Sequence, residues 1–546
     1  MIQGRKLRFG MAAGMTLLVA AAGMALARDA DDPPADFILR GGTVYPGNAA
    51  PFKGDVAIRG DHIVYVGPKA SGTAKKIIDA TGMIVAPGFI DTHTHVNNAL
   101  ASGDPAARLV LPFLTQGVTT AFIGVDGGGD PDVARTFGLD SGAKGGEGEA
   151  ALAQSSRDYG INFATYVGLG AVRLKVIGSA DRPPTADELA KMQGLVSSAM
   201  CQGALGLSTG LFYAPQSFAR LDEVVALARA ASDKGGIYDS HLRDESSYTI
   251  GLKGAVGEAL EIGRQANIPV HIAHIKALGV DVQGQAQAII AQIEAAQKAG
   301  QVVHADQYPW SASGTGLSAA LMPRWAQDGG RAAMLKRFED PAVMAKMRPE
   351  IAENLRRRGG PASLLITSGP AKYEGKTLEQ IAQALGKDPV EAAIVVLKMR
   401  EAGIASFNQS EADIAAFMNR PWVVTSSDAS QGHPRYYASF ARKYATYVKE
   451  KQVIDLRTFI DRSTAVTAAM FGLEGRGQLK AGAFADVIAF DPKAFAPRAD
   501  YIHPALFSTG MRTVIVNGVL AIENGEPTGA AGGRPLPRQP KPGSCR

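Results

Sequence analysis

The stretch Met83-Ile84-Val85-Ala86-Pro87-Gly88-Phe89-Ile90-Asp91-Thr92-His93-Thr94-His95 decides how this chain is read. A short apolar run of this kind reads as a buried strand, and it closes on two histidines two residues apart. Residues i and i+2 of a strand point to the same face, so both imidazoles can grip one ion. A catalytic zinc site needs further protein ligands and a position left for water. The reading therefore turns on whether distant parts of the chain supply them.

Outward from this stretch, short apolar strands alternate with helical patterns. Candidate strands are 84–90, 118–124, 161–167, 203–208, 236–240, 268–273, 301–305 and 422–427. Eight such units predict an α/β fold, a (β/α)8 TIM-like barrel whose chemistry sits at the C-terminal strand ends. A doubly wound sheet is the rival arrangement. The spacing is regular except from about 315 to 421, where mostly helical, charged sequence reads as an insertion after the seventh strand, placed to act as a lid. Alternating apolar and polar residues between glycine turns mark strands in 37–82 and again in 476–525. These predict one small β-sandwich built from both chain ends, bracketing a barrel domain of 83–475. The Pro- and Gly-rich tail, 526–546, reads as disordered.

The 546 residues are 46% hydrophobic and 20% charged, which suits a globular enzyme and excludes a disordered chain. Arg5-Lys6-Leu7-Arg8, followed by an apolar stretch ending in Ala25-Leu26-Ala27, matches a signal peptide over 1–27; an uncleaved anchor is the alternative. The expectation is an exported protein, periplasmic or secreted, with no stable membrane anchor after signal cleavage. Losing Arg5, Lys6 and Arg8 lowers the formal charge of +5 by three, to +2, which gives no case for nucleic acid as a partner. Only Cys201 and Cys545 are present, and no bridge between them is expected, because Cys545 falls in the tail.

Polar residues stand where a barrel would gather them. His93 and His95 follow the first strand, Asp126 the second, His241 the fifth, His274 the sixth and Asp428 the eighth. Four of the chain's nine histidines thus meet two aspartates on one rim. Imidazoles and a carboxylate hold zinc, which acidifies water and polarises a carbonyl. An aspartate beside that water can take its proton and later return it to a leaving amine. The set suits hydrolysis of an amide or a related C–N bond. His271 shares a strand with His274 and is the alternative ligand; His274 is preferred because it lies nearer the strand end. Asp126, in a glycine-rich turn, could instead cap a backbone N–H. His62 and His304 read as structural and His503 as solvated.

Several motifs taken together resemble the metal-dependent amidohydrolase superfamily and, within it, the N-acyl-D-amino-acid deacylases (D-aminoacylases). They are the opening Pro87-to-His95 stretch, Gly203-Ala204-Leu205-Gly206-Leu207-Ser208-Thr209-Gly210-Leu211, His241-Leu242-Arg243-Asp244-Glu245, His274-Ile275-Lys276, Ala305-Asp306-Gln307-Tyr308-Pro309, Ser427-Asp428 with His433-Pro434-Arg435, and Gly482-Ala483-Phe484-Ala485-Asp486. The likeness spans roughly residues 37–525. It implies one or two zinc ions, with His241 and His274 on the tightly held one and His93 and His95 on a second. It implies Asp428 as general acid/base and Lys276, Tyr308 and Arg435 as substrate contacts. Arg435 would clamp the substrate carboxylate, a role a guanidinium fills in bidentate fashion; a surface salt bridge is the alternative. Two departures stand out. The deacylases carry a metal-binding Cys where this chain has Asp126, a harder ligand than thiolate. Where they show a Gly-His pair after the third strand, this chain has Gly168-Leu169-Gly170 with Arg173 following, so a polar group that would line the pocket becomes apolar.

The resemblance implies a zinc-dependent hydrolase that cleaves the amide of N-acyl amino acids, the D series included, or of small peptide-like molecules. Its partner is a small-molecule substrate with a carboxylate. The alternatives are a cyclic amidase or dipeptidase of the same superfamily and, in a different class, an inactive barrel serving as a binding or structural protein.

Overall fold

The computed structural model describes residues 34–138 and 158–545; the expected signal segment, 1–27, lies outside them. No helix among the described residues is long and apolar enough to cross a membrane.

Eight parallel strands form the barrel: Phe89–Asp91, Val118–Ile123, Asn162–Thr165 continued by Val167–Gly168, Gly206–Gly210, Ile237–His241, Val270–Ile272, Val303–Gln307 and Val423–Thr425. Val118–Ile123 is buried at all six positions, as expected of a strand covered by the barrel interior on one face and helices on the other. The ring closes through the residues that end the first and last strands. Asp428 N donates to His93 O at 2.9 Å and His95 N to Ala429 O at 3.0 Å, beside a parallel bridge of Thr94 with Ala429.

The predicted first strand, 84–90, is in fact two strands in different sheets. Ile84–Pro87 pairs antiparallel with Val487–Phe490 and belongs to the small domain, whereas Phe89–Asp91 opens the barrel. Gly88 makes the transfer: a Cβ there would lie 2.1 Å from Thr119 Oγ1, so only glycine lets the chain pass this close to the second barrel strand. In the small domain, nine strands from both ends of the chain join in one sheet. Leu39, Val56, Ile63, Val487 and Ile515 share its core.

The insertion has its own core, including Leu317, Met347, Ile351, Leu378 and Leu397. It also holds a three-stranded antiparallel sheet, Ala312–Gly316 with Gly403–Phe407 and Leu364–Ser368, where mostly helical sequence was expected. Ala312-Ser313-Gly314-Thr315-Gly316 carries no run of branched apolar side chains and so gives no strand signal.

The tail is not disordered. It runs beneath the N-terminal ends of barrel strands three to five: Gly533 N donates to Tyr159 O at 2.7 Å, Leu536 N to Phe163 O at 2.8 Å, Arg538 N to Gly203 O at 2.9 Å and Lys541 N to Lys234 O at 2.9 Å. This path returns Cys545 to Cys201, at the end of helix Ala186–Cys201, and the two form the disulfide that was not expected, with Cα atoms 5.7 Å apart. A Pro- and Gly-rich composition marks lack of helix and strand; it does not report hydrogen bonds made to another element.

Two stability predictions follow from these contacts. A Cys545→Ser variant loses about 2–4 kcal/mol of unfolding free energy, read by urea titration, and reductant lowers the wild type to the same level. Lys443 is buried, with its amine on Thr425 Oγ1 at 3.0 Å. Burial first, then Arg462, against an opposing Asp306, pushes it down to about 7 from 10.5. Between those pH values the unfolded chain holds a proton that the folded chain has released, so this group makes stability rise with pH across that window. Lys443→Met removes the slope and is more stable than wild type at pH 7, measured by urea unfolding at pH 7 and 9.

Candidate metal centre and substrate cavity

The predicted site residues are brought together at the C-terminal rim. His93 Nε2 lies 3.3 Å from Asp126 Oδ1 and 3.9 Å from Asp428 Oδ1; His95 Nε2 lies 3.5 Å from Asp126 Oδ2 and 3.2 Å from Asp428 Oδ1. His241 Nδ1 and His274 Nε2 each approach Asp126 Oδ1 at 3.5 Å and face each other at 2.9 Å. Asp126 is therefore the shared corner of the cluster, and its role as a turn cap is not what the geometry shows. His271, the alternative to His274, points elsewhere, its Nε2 on Asp306 Oδ2 at 2.7 Å. His62 pairs with Asp61 at 2.6 Å in the small domain. His304 is held down to about 4 by burial, and His503 is exposed beside Asp500.

The cluster has the properties of a metal site. Both ring nitrogens of the fully buried His93, and Asp126 Oδ1, lack a hydrogen-bond partner, an expensive state for buried polar atoms unless an ion satisfies them. Three triads bring ligand atoms within 4.8 Å of one another: His93-Asp126-His274, His93-His95-Asp428 and His241-Glu245-His274. The charge balance also calls for a cation. Burial and Lys276 lower the His274 pKa, yet Asp428, Glu245 and Asp126 push it up to about 10. The donor set of imidazoles and carboxylates suits zinc. Asp126, His274 and Asp428 hold φ angles of 53°, 33° and 50°, a left-handed conformation that non-glycine residues adopt at a cost.

The Asp428 carboxylate joins this cluster to the substrate side. Burial would raise its pKa, but Arg435, with Nη1 at 2.7 Å from Oδ2, and His274 outweigh burial and hold it well below the usual range. Arg435 is buried, so it is no surface salt bridge. It packs over Tyr308, ring centroid 5.2 Å away, and Lys276 sits 5.6 Å from the same ring. These side chains, with His95, Asp126, His241 and His274, line a cavity of about 530 Å3 whose far wall is the insertion. Leu169, at the departure from the Gly-His pair, is buried outside the lining, and Arg173 is ion-paired with Glu223 at 2.5 Å.

Two residues were missed. Glu245, buried four residues after His241, takes Lys276 Nζ at 2.5 Å and lies 3.2 Å from His274 Nδ1 and 3.9 Å from His241 Nε2. It thus faces the outer nitrogens of both histidines. Asp306 accepts from His271 Nε2, the His274 backbone N, Ser426 Oγ and Thr92 Oγ1. Both stand in motifs already quoted, and each is an acidic residue that ends or follows a barrel strand, which is the signal that would have found them.

A fold with eight parallel strands and an imidazole–carboxylate cluster at their C-terminal rim defines a metal-dependent hydrolase barrel. The chain belongs to the amidohydrolase family, which it matches over residues 76–522. It is similar to a D-aminoacylase of Alcaligenes xylosoxydans xylosoxydans, 32% identical over 93% of this chain and 99% of that one. It is also similar to an N-acyl-D-aspartate deacylase of the same organism, 31% identical over 92% and 95%. Among solved structures it resembles a D-aminoacylase with a binuclear metal centre (31% identity, TM-score 0.75, 92% of this chain and 100% of that one). It also resembles an N-acyl-D-glutamate deacylase of Bordetella bronchiseptica complexed with zinc and a phosphonate inhibitor (29%, TM-score 0.76, 92% and 100%). A D-hydantoinase at 16% identity and TM-score 0.54 shares the fold.

Because Glu245 lies 3.2 Å from His274 Nδ1 and binds the Lys276 amine that reaches the same nitrogen at 2.7 Å, Glu245→Gln is expected to weaken zinc binding by about 10–100-fold, read by competition with a chromogenic chelator.

Proposed function

We propose that this protein is a zinc-dependent deacylase that hydrolyses the amide of N-acyl-D-amino acids. The observation that carries the reading is the pairing of a metal-ligand cluster with a buried guanidinium through one carboxylate: Asp428 has Oδ1 toward His95 at 3.2 Å and Oδ2 on Arg435 at 2.7 Å. Zinc bound at the cluster supplies an acidified water and a polarised scissile carbonyl. Asp428, kept ionised by Arg435, takes the proton of the attacking water and passes it to the amine as the C–N bond breaks. Arg435, with Lys276 and Tyr308 beside it, binds the substrate carboxylate and so sets the acyl carbonyl against the cluster. Asp126 takes the corner that a thiolate fills in the deacylases and serves both histidine pairs. The full set of ligands and the general base speaks against an inactive scaffold.

We also propose export. The basic and apolar N-terminal stretch supports it, and so does the Cys201–Cys545 disulfide, which suits an oxidising compartment. Fractionation of expressing cells, with mass spectrometry of the N-terminus, tests it; a cytoplasmic, unprocessed chain overturns it.

Asp428→Asn is expected to lower kcat for an N-acetyl-D-amino acid by about 100-fold or more while zinc content, measured by metal analysis, is retained. Undiminished hydrolysis by that variant would refute the proton-transfer role. Wild-type enzyme treated with chelator loses activity and regains it on zinc addition.

A further inference from the structure

The turn that carries Asp126 is held from three sides. Ser208 Oγ donates to Gly124 O at 2.6 Å and accepts from Gly127 N at 3.1 Å. Beyond the third barrel strand, Gly168 N donates to Gly129 O at 2.9 Å and Ala171 N to Gly127 O at 3.1 Å. The third hold is Gln216, which opens a single 3-10 turn after strand four. Its Nε2 donates to Asp126 O at 2.8 Å, and its Oε1 accepts from Gly210 N at 2.7 Å. Gln216 is buried and lies outside the lining of the substrate cavity. Two glycines make room for its carboxamide. A Cβ at Gly127 would lie 1.9 Å from Gln216 Oε1, and one at Gly170 would lie 2.7 Å from Nε2.

The backbone of Asp126 is thus bound while its side chain is left for the cluster. Oδ1 is buried without a hydrogen-bond partner and lies 3.3 Å from His93 Nε2 and 3.5 Å from the facing nitrogens of His241 and His274. Oδ2 lies 3.5 Å from His95 Nε2. The carboxamide grips the chain where two successive residues, Asp126 and Gly127, are left-handed, with φ of 53° and 73°. A left-handed aspartate persists only where its surroundings fix it. The setting of this backbone matters more for a carboxylate than for a thiolate. Its oxygens end one bond farther from Cβ, so the same backbone rotation swings them farther and changes which histidine pair they face.

We infer that Gln216 is the positioning residue for Asp126: its carboxamide fixes the left-handed turn so that one carboxylate serves both histidine pairs. This rests on the zinc reading of the cluster and assigns the side chain that lets aspartate stand at the thiolate corner. The sense of the carboxamide is set by its partners, since a backbone carbonyl needs an N–H and a backbone N–H needs an oxygen. Glutamate has the same shape, keeps the bond to Gly210 N and loses the donor to Asp126 O.

Metal binding in the absence of substrate tests this. The metal-free full chain is titrated with zinc against a chromogenic chelator, and with cobalt for its visible absorption. Gln216→Glu is expected to weaken zinc binding by about 10–100-fold and to change the cobalt spectrum. In an Asp126→Ala background the same substitution changes neither, because the group that Gln216 positions is gone. Gln216→Met, which removes both donor and acceptor, gives the same pattern and serves should Gln216→Glu fail to fold. Unchanged zinc affinity, or an equal loss with and without Asp126, overturns this inference alone; the second result marks a general loosening of the fold. A wild type that takes up neither metal overturns the zinc reading, and this inference with it.

Discussion

One buried carboxylate fixes where everything else can be. Asp306, next to last in the seventh barrel strand, accepts hydrogen bonds from Thr92, His271, the His274 backbone and Ser426, which belong to the ends of strands one, six and eight. Burial alone would raise its pKa, but the hydrogen bond and charge of His271 outweigh burial and hold it well below the carboxylate range. The ionised side chain is thus a fixed negative centre inside the barrel, tying its closing seam to the loop that presents His274. Ser427 N does the same on the other side through Asp91 Oδ1 at 3.0 Å. The metal ligands stand on this polar framework, and so their positions are set by strand closure, with little freedom left to the loops.

The closure has a conformational cost at the residues that do the chemistry. Asp126, His274 and Asp428 all take left-handed backbone angles at the points where their strands turn into loops. Such positions are stable only where the surroundings over-determine them. Here the surroundings are the Asp306 bonds, the Gln216 side chain on Asp126 O and the backbone pairing of Asp428 with His93. The turned backbone aims each side chain inward over the barrel mouth, where an extended strand end would have alternated it away.

Much of this was legible in the sequence, because the barrel strands are short apolar runs and the ligands follow them directly. His93, His95, Asp126, His241, His274 and Asp428 could be placed on one rim from the strands they follow, with His271 left as the alternative to His274 and a turn cap as the alternative role of Asp126. What escaped had weaker local signals. The division of 84–90 between two sheets depends on Gly88 clearing Thr119, a tertiary contact. In the insertion's sheet the strand Ala312–Gly316 is written in Ala, Ser, Gly and Thr, and Leu364–Ser368 and Gly403–Phe407 are short runs set among helices. Glu245 and Asp306 were in view but had no spacing rule to claim them, since their partners lie on other strands. The tail was misread because its order comes from carbonyls of the barrel's underside and not from its own composition.

That tail has a consequence for how the molecule is made. The small domain pairs Ile84–Pro87 with Val487–Phe490, and the disulfide joins residues 344 positions apart. Neither can form until nearly all of the chain has been synthesised. All eight barrel strands lie between the partners of the small-domain pairing, and the last five, Gly206–Gly210 to Val423–Thr425, lie between the two cysteines. Closing the Cys545 bridge requires the tail to lie along the underside of the barrel, so an oxidised molecule is one whose tail is docked.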